Sequence, residues 1–202
     1  MQLNKAMLVL CLPVLASLGG CMTPVGPVEV TRFHAADRIS ELGSGTISVV
    51  AGEGIDSESL EFRAIAAAVG RELQRVGYVL PYAGEAAHDG AVATVRFERE
   101  LRPGGTGRGP VSVGVGGSTG SYGSGLGLGI GFNLGGKPGD LVISQLSVTI
   151  RARDGAVLWE GRAIGEARAG SPAAETSLAA SKLAASLFQG FPGESGETIA
   201  VP

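Results

Sequence analysis

Apolar and polar positions alternate along much of the chain. Val28–His34 sets Val28, Val30 and Arg32 against Thr31 and Phe33, and Thr46–Ala51 is a short β-branched run after a Gly/Ser turn. Both patterns predict strands. From Ile55–Ser57 onward the period changes. Phe62, Ile65, Ala66, Val69, Leu73 and Val76 mark one face of a helix, with Glu58 and Glu61 early, Arg71 and Arg75 late, and Gly77 at the stop. Ala91–Leu101 returns to period two. Ala93, Val95, Phe97 and Leu101 share one side, which Arg99 interrupts where it could reach solvent.

The clearest hairpin spans Leu146–Arg168 around Asp154-Gly155, the dipeptide of a two-residue type I′ turn. Pairing Arg153 with Ala156 opposes Ala152 to Val157, Ile150 to Trp159 and Val148 to Gly161 on an apolar face. Thr149 then meets Glu160, and Ser147 meets Arg162, on a polar one. Gly161 and Gly165 weaken that strand and leave room for a close helix. Ser171-Pro172 predicts an N-cap with Pro at N1. The helix it starts runs to about Gln189, with Ala180, Leu183, Ala184, Leu187 and Phe188 inward, and Gly190 and Pro192 stop it. Residues 193–202 are expected to form a polar tail. The order predicts a single compact α+β domain, a mostly antiparallel sheet with two helices packed on one face.

Composition changes the picture at two places. Sixteen of the 34 glycines lie between Gly104 and Gly139. This insert, residues 103–139, keeps a period of two. Val111, Val113 and Val115 alternate with Ser112, Gly114 and Gly116, and Leu126, Leu128, Ile130, Phe132 and Leu134 alternate with Gly127, Gly129, Gly131 and Asn133. One reading is a flexible or partly ordered hairpin extending the flanking strands. Another is a hairpin touching membrane or partner through Leu126, Leu128, Ile130 and Phe132. One hairpin has two open edges, so spanning lipid requires several copies to close a ring. A phosphate cradle is excluded. Gly131–Lys137 matches GxxxxGK in letters, but Pro138 replaces the magnesium-binding hydroxyl and the residues after it predict a strand.

The second place is the start of the chain. Lys5 precedes a thirteen-residue apolar run, Ala6–Leu18, a length that suits a cleaved leader and falls short of a spanning helix. Leu18-Gly19-Gly20-Cys21 follows and resembles the lipobox of bacterial lipoproteins. That resemblance implies removal of residues 1–20 and diacylglycerol on Cys21. Residues 21–27 would then form a tether, Cys21 would be the sole cysteine left, and the protein would be held by membrane lipid. Met22, rather than Asp, implies export to the outer membrane, with the domain on its periplasmic face.

Candidate chemistry adds little. The net charge of −3 leaves no footprint for nucleic acid. There is no G-x-S-x-G elbow, and His34 and His88 lack metal-ligand spacing. Glu98 and Glu100, beside Arg96 and Arg102, form a solvated charge ladder. Trp159 is a core residue before it is a ligand anchor. No catalytic residue, metal site or cofactor is assigned, and the chain is expected not to be an enzyme.

Five segments in order carry a family resemblance. They are the lipobox, Val30-Thr31-Arg32-Phe33, Arg75-Val76-Gly77-Tyr78, Val157-Leu158-Trp159-Glu160-Gly161 and Leu187-Phe188-Gln189-Gly190-Phe191-Pro192. Together they resemble the DUF4136 lipoproteins of Gram-negative bacteria, over residues 28–192. The acidic step that often opens that family's middle strand stands here as Asp89-Gly90-Ala91-Val92, a loose match. The resemblance implies a lipid-anchored α+β envelope domain with no established activity. A binding or structural role toward an envelope protein partner follows. The alternative is a subunit or accessory factor of an outer-membrane assembly or transport complex using the hairpin, and a cryptic hydrolase ranks last. Oligomeric state is left open. Palmitate labelling of the expressed protein is expected to vanish in Cys21→Ser, and undiminished label in that variant refutes the anchor.

Overall fold

In the computed structural model the described residues are 26–81, 90–104, 111–118, 125–132 and 139–202. The first strand, β1 (Val28–His34), buries Val28, Val30 and Arg32 and turns Glu29 and Phe33 outward. After a 3-10 turn at Ala36–Glu41 comes β2 (Ile47–Ala51), then α1 (Leu60–Arg75). The Ser59 hydroxyl accepts the Phe62 N–H at 3.1 Å and caps α1. Gly77 ends it with φ +109°, pressed so closely on the Gly43 carbonyl that no side chain fits. Then follow β3 (Ala91–Arg102), β4 (Val111–Ser118), β5 (Gly125–Phe132), β6 (Leu141–Arg151), β7 (Val157–Arg168), α2 (Thr176–Phe188) and β8 (Thr198–Val201).

Among the described residues six strands form the main sheet, in the order β2-β3-β6-β7-β1-β8. Only β2 and β3 are parallel, because α1 carries the chain back between them. The helices cover one face, packed against each other and on Val30, Val95, Leu146, Val148, Ile150 and Trp159. The other face carries Thr31, Ser147, Thr149, Glu160 and Arg162. The chain is thus α+β, as the alternation predicts. α1 buries Ala68 and Gly70 besides the expected Phe62, Ile65, Val69 and Leu73, because it faces α2 as well as the sheet.

The β6–β7 register matches the expectation from Ile150↔Trp159 through Ser147↔Arg162. The turn does not. Gly155 N–H donates to the Ala152 carbonyl, and Ala152 N–H to the Ala156 carbonyl, both at 2.9 Å, with Gly155 at φ +87°. This is a three-residue connection with glycine in the left-handed position. The extra residue shifts the ladder, so Val157 opposes Arg151 rather than Ala152. Gly161 meets a crowded site, since a Cβ there would run into the Trp159 ring and Leu187. At Gly165 a Cβ would lie 3.1 Å from Leu183 Cδ2. These glycines let α2 approach as expected.

Four further expectations need correction. Ser171 does not cap a continuous helix. Its hydroxyl donates to the Arg168 carbonyl at 2.7 Å, Pro172–Ala174 forms a separate 3-10 turn, and α2 begins at Thr176. Leu101 is exposed, because β3 runs on past the helices. Arg99, rather than simply entering solvent, donates to the Ala174 carbonyl and Thr176 Oγ1 and ties β3 to the start of α2. The expected polar tail supplies β8, which pairs with β1 from Val28↔Val201 to Thr31↔Thr198.

The far ends of α2 and the sheet are locked together. Arg32 is 5% exposed. Its guanidinium donates to the Leu187 carbonyl at 2.9 Å and the Ser186 carbonyl at 3.1 Å. Burial pulls its pKa below the ordinary value, and the Glu197 carboxylate pushes it back up. Arg75 donates to the Phe188 carbonyl at 3.2 Å. Beside them Trp159 stacks on Phe188 at 5.3 Å, touches Phe191, and donates its indole N–H to the Pro192 carbonyl at 3.0 Å. Arg32→Met removes both carbonyl partners and is expected to cost about 3 kcal/mol in chemical denaturation, given ~1–3 kcal/mol per buried group left unpaired. Arg32→Lys is expected to recover only part, since an ammonium lacks the planar fork. An unchanged unfolding midpoint in Arg32→Met removes this clamp.

Arg38 makes a second, exposed clamp. It donates to both Glu41 oxygens at 2.6 and 2.7 Å and to Asp154 at 2.9 Å, joining the 3-10 turn to the β6–β7 turn. The Arg38 hydrogen bond holds the Glu41 carboxyl below its usual range. The Ala156 N–H, then Arg38, does so for Asp154. Both folded pKa values lie below the unfolded values of about 4, so this stabilisation is present above that pH and is lost as pH falls through the folded values. The gap in urea midpoint between wild type and Arg38→Ala is therefore expected to narrow from pH 7 to pH 2.5, and a constant gap contradicts it.

Candidate functional site

Strand direction gathers several loops at one end of the sheet. β1 starts there, with Gly26 just before it. β7 runs antiparallel and ends there, the register Glu29↔Ile164 bringing Gly26 beside Ala167. Leu141 pairs with Arg168, and Arg102 pairs with Leu141. Both stems of the glycine-rich insert therefore leave from the end where Gly26 enters. The Gly104 N–H closes the stems by donating to Asp140 Oδ1 at 2.9 Å. Arg75 and Arg71 reach Phe188 and Ser181, so the helices run parallel and both start at this end.

A pocket of about 280 Å³ opens here, between α2 and the sheet. That is just below the ~300–1,000 Å³ of typical small-molecule sites. Its walls are mostly apolar or small: Val28, Gly165, Ala167, Ala173, Leu178, Ala179 and Leu183, with Ser144 and Glu166. Lys182 crosses it and donates Nζ to the Gly26 carbonyl at 3.1 Å, which fixes where the chain enters. Around the same end stand Leu60, Leu101 and Leu178, at 79%, 58% and 53% exposure. Exposed apolar side chains are not confined to this end, since Phe33, Ile39, Val79 and Val157 are exposed at the other. Leu101 was expected inward, and Leu60 and Leu178 belong to no apolar stripe in the sequence.

The residues singled out from the sequence are distributed as follows. Cys21, the leader and His88 lie outside the described residues. Leu126, Leu128, Ile130 and Phe132 lie on β5, opposite Gly117, Val115, Val113 and Val111 of β4. The register sets apolar positions opposite one another at three of these four pairs, Gly117↔Leu126 being the exception. This ladder is a sheet of its own rather than a continuation of the β3–β6 pairing. Glu98 is exposed and 3.8 Å from Arg96, and Arg102 pairs with Glu166 at 2.9 Å, an ordinary surface charge ladder. Trp159 is fully buried.

His34 lies at the opposite end, where its N–H donates to Ser195 Oγ. Its Nδ1, and the phenol oxygen of Tyr78, are buried without a hydrogen-bond partner among the described residues. Burial pushes the Tyr78 phenol pKa up, and the nearby Gly43 backbone offsets part of that. Among the described residues no group of three His, Cys, Asp or Glu could hold a metal ion. No helix among them is long and apolar enough to cross a membrane.

No family model matches the chain, and no curated protein matches it. Among solved structures it is similar to a PDZ domain protein from Parabacteroides distasonis, at 13% identity and a TM-score of 0.48, over 87% of this chain and 39% of that one. The chain thus spans about two-fifths of that protein's length. It is also similar to the PelC dodecamer from Paraburkholderia phytofirmans, at 11% identity and a TM-score of 0.39, over 83% of this chain and 99% of that one. A variant PelC dodecamer gives 12% and 0.35. At these scores neither likeness carries a functional inference.

Proposed function

We propose that this chain is a lipid-anchored envelope protein of a Gram-negative bacterium, facing the periplasm from the outer membrane, with a binding or structural role rather than a catalytic one. The lipobox at Cys21 supplies the anchor in this reading. The observation that carries it is strand direction. Gly26, five residues after Cys21, and both stems of the glycine-rich insert, Arg102–Gly104 and Asp140–Leu141, share one end of the sheet. An anchor at Cys21 would hold the base of the insert close to the bilayer, where the insert meets other envelope components.

One feature favours a second reading, a subunit of an outer-membrane assembly. The β4–β5 ladder has no third strand paired to it among the described residues. Unpaired strand edges invite pairing with another chain, including a second copy.

A photoreactive residue at Phe132, crosslinked in intact cells and analysed by mass spectrometry, tests both. Adducts with one envelope protein support the first reading, and adducts with the chain itself support the second. Adducts with lipid alone overturn the protein-binding role. Adducts with cytosolic proteins, on a chain that keeps its leader, overturn the envelope assignment.

A further inference from the structure

We propose that the pocket between α2 and the sheet is a binding site for a compact, neutral, largely hydrocarbon molecule that carries one hydroxyl or carbonyl group. The inference goes beyond the reading above and does not depend on the anchor. The pocket follows from a taper in the sequence. On the helix-covered face the β6–β7 pairs run Ile150↔Trp159, Val148↔Gly161, Leu146↔Ala163 and Ser144↔Gly165 toward the Gly26 end. Side-chain volume falls along that series. α2 does not make up the loss, since Leu183 gives way to Ala179 one turn nearer this end. Close-packed interiors leave few voids larger than a water molecule, yet about 280 Å³ stays open here. That is roughly twice the ~150 Å³ cavity that takes up benzene, so the space suits a body of about ten to twelve non-hydrogen atoms.

Small walls alone mark only a packing gap. Ser144 points to a ligand. It is 4% exposed and lines the pocket, and its hydroxyl has no hydrogen-bond partner among the described residues. It is the polar member of an inward row whose other members are Leu146, Val148 and Ile150. A hydroxyl both donates and accepts. Covering it with hydrocarbon alone leaves it unpaired, which costs binding energy. A ligand that brings one donor or acceptor avoids that cost, and a site of this kind rejects the analogue lacking the group.

The charged groups around the pocket select a neutral ligand. Lys182 and Glu166 line it with opposite charges. Both are engaged: Lys182 Nζ donates to the Gly26 carbonyl at 3.1 Å, and the Glu166 carboxylate accepts from Arg102 at 2.9 Å. A carboxylate on the ligand would meet Glu166 and an ammonium would meet Lys182, so neither sign is favoured.

The test is calorimetry on the full chain carrying Cys21→Ser, so that no acyl chain of its own competes for the pocket. The probes are 4-phenyl-1-butanol, n-butylbenzene and 4-phenylbutyrate, which share a phenylalkyl body. The alcohol is expected to bind roughly tenfold more tightly than either of the others, the size of one net hydrogen bond. Ser144→Ala is expected to erase the preference over n-butylbenzene without lowering the unfolding midpoint, because the hydroxyl it removes has no partner. Ala167→Leu, which fills the space from β7, is expected to abolish binding of all three. Binding of none of the probes to the parent chain overturns the site. So does binding that survives Ala167→Leu, or a preference unchanged in Ser144→Ala. Tightest binding of 4-phenylbutyrate overturns the neutral class of ligand. Should Ala167→Leu fail to fold, nuclear Overhauser contacts between the alcohol and the Leu183 methyl groups of the parent chain are the measure, and their absence overturns the site.

Discussion

The guanidinium of Arg32 sits where a sheet, a helix end and the final segment of the chain converge. A helix leaves its last carbonyls without intrahelical partners. In α2 those include Ser186, Leu187 and Phe188, and no basic residue occupies its last turn. Arg32 and Arg75 supply the missing donors from elsewhere in the chain. A buried guanidinium carries a desolvation cost, so it persists only with its hydrogen bonds satisfied. That requirement fixes the height of α2 on β1. The Arg32 backbone extends the constraint, because its carbonyl accepts the Gly196 N–H at 2.8 Å. β8 then starts in register beside β1, with Thr31 and Thr198 hydroxyls 2.8 Å apart.

Close packing follows from that fixed height. Gly161 leaves space for the Trp159 ring and Leu187, and Gly165 for Leu183. Trp159 in turn holds Pro192 through its indole N–H and Phe191 through its ring. Rings at such separations attract through their quadrupoles as well as by burial. The last turn of α2, the strand beneath it and the chain after it thus form one locked unit. Its elements lie far apart in sequence, so the lock is a product of the completed fold.

This explains which parts of the fold were legible in the sequence. Alternation in β1, the helical stripe from Phe62 to Leu73 and the Ile150↔Trp159 register depend on neighbours within a few residues or across one turn. They could be read directly. The close approach at Gly161 and Gly165 could also be read, since a strand with two glycines needs a reason. Features set by tertiary partners could not. β8 exists because β1 offers an edge and Arg32 places Gly196 beside it. Ser171 spends its hydroxyl on the Arg168 carbonyl instead of a helix N–H. Asp154-Gly155 signals a turn in either class, and the extra residue appears only in the hydrogen bonds. The same limit applies to the candidate site. Cys21 lies outside the described residues, whereas the pocket lined by Gly26, Ser144, Gly165 and Leu183 forms only through an antiparallel strand order and a helix laid across it.

The two ends of the domain consequently differ in kind. At the Arg32 end, polar groups are buried and their partners specified, with His34 Nδ1 and Tyr78 as exceptions, and the rings are stacked. At the Gly26 end, a pocket stays open between α2 and the sheet and the chain departs into the insert. The glycine-rich ladder obeys the same division. Its glycine content makes it costly to order alone, but its stems are joined by Asp140 and by the β3–β6 ladder. The sheet therefore sets where the insert begins and which end of the domain it leaves from.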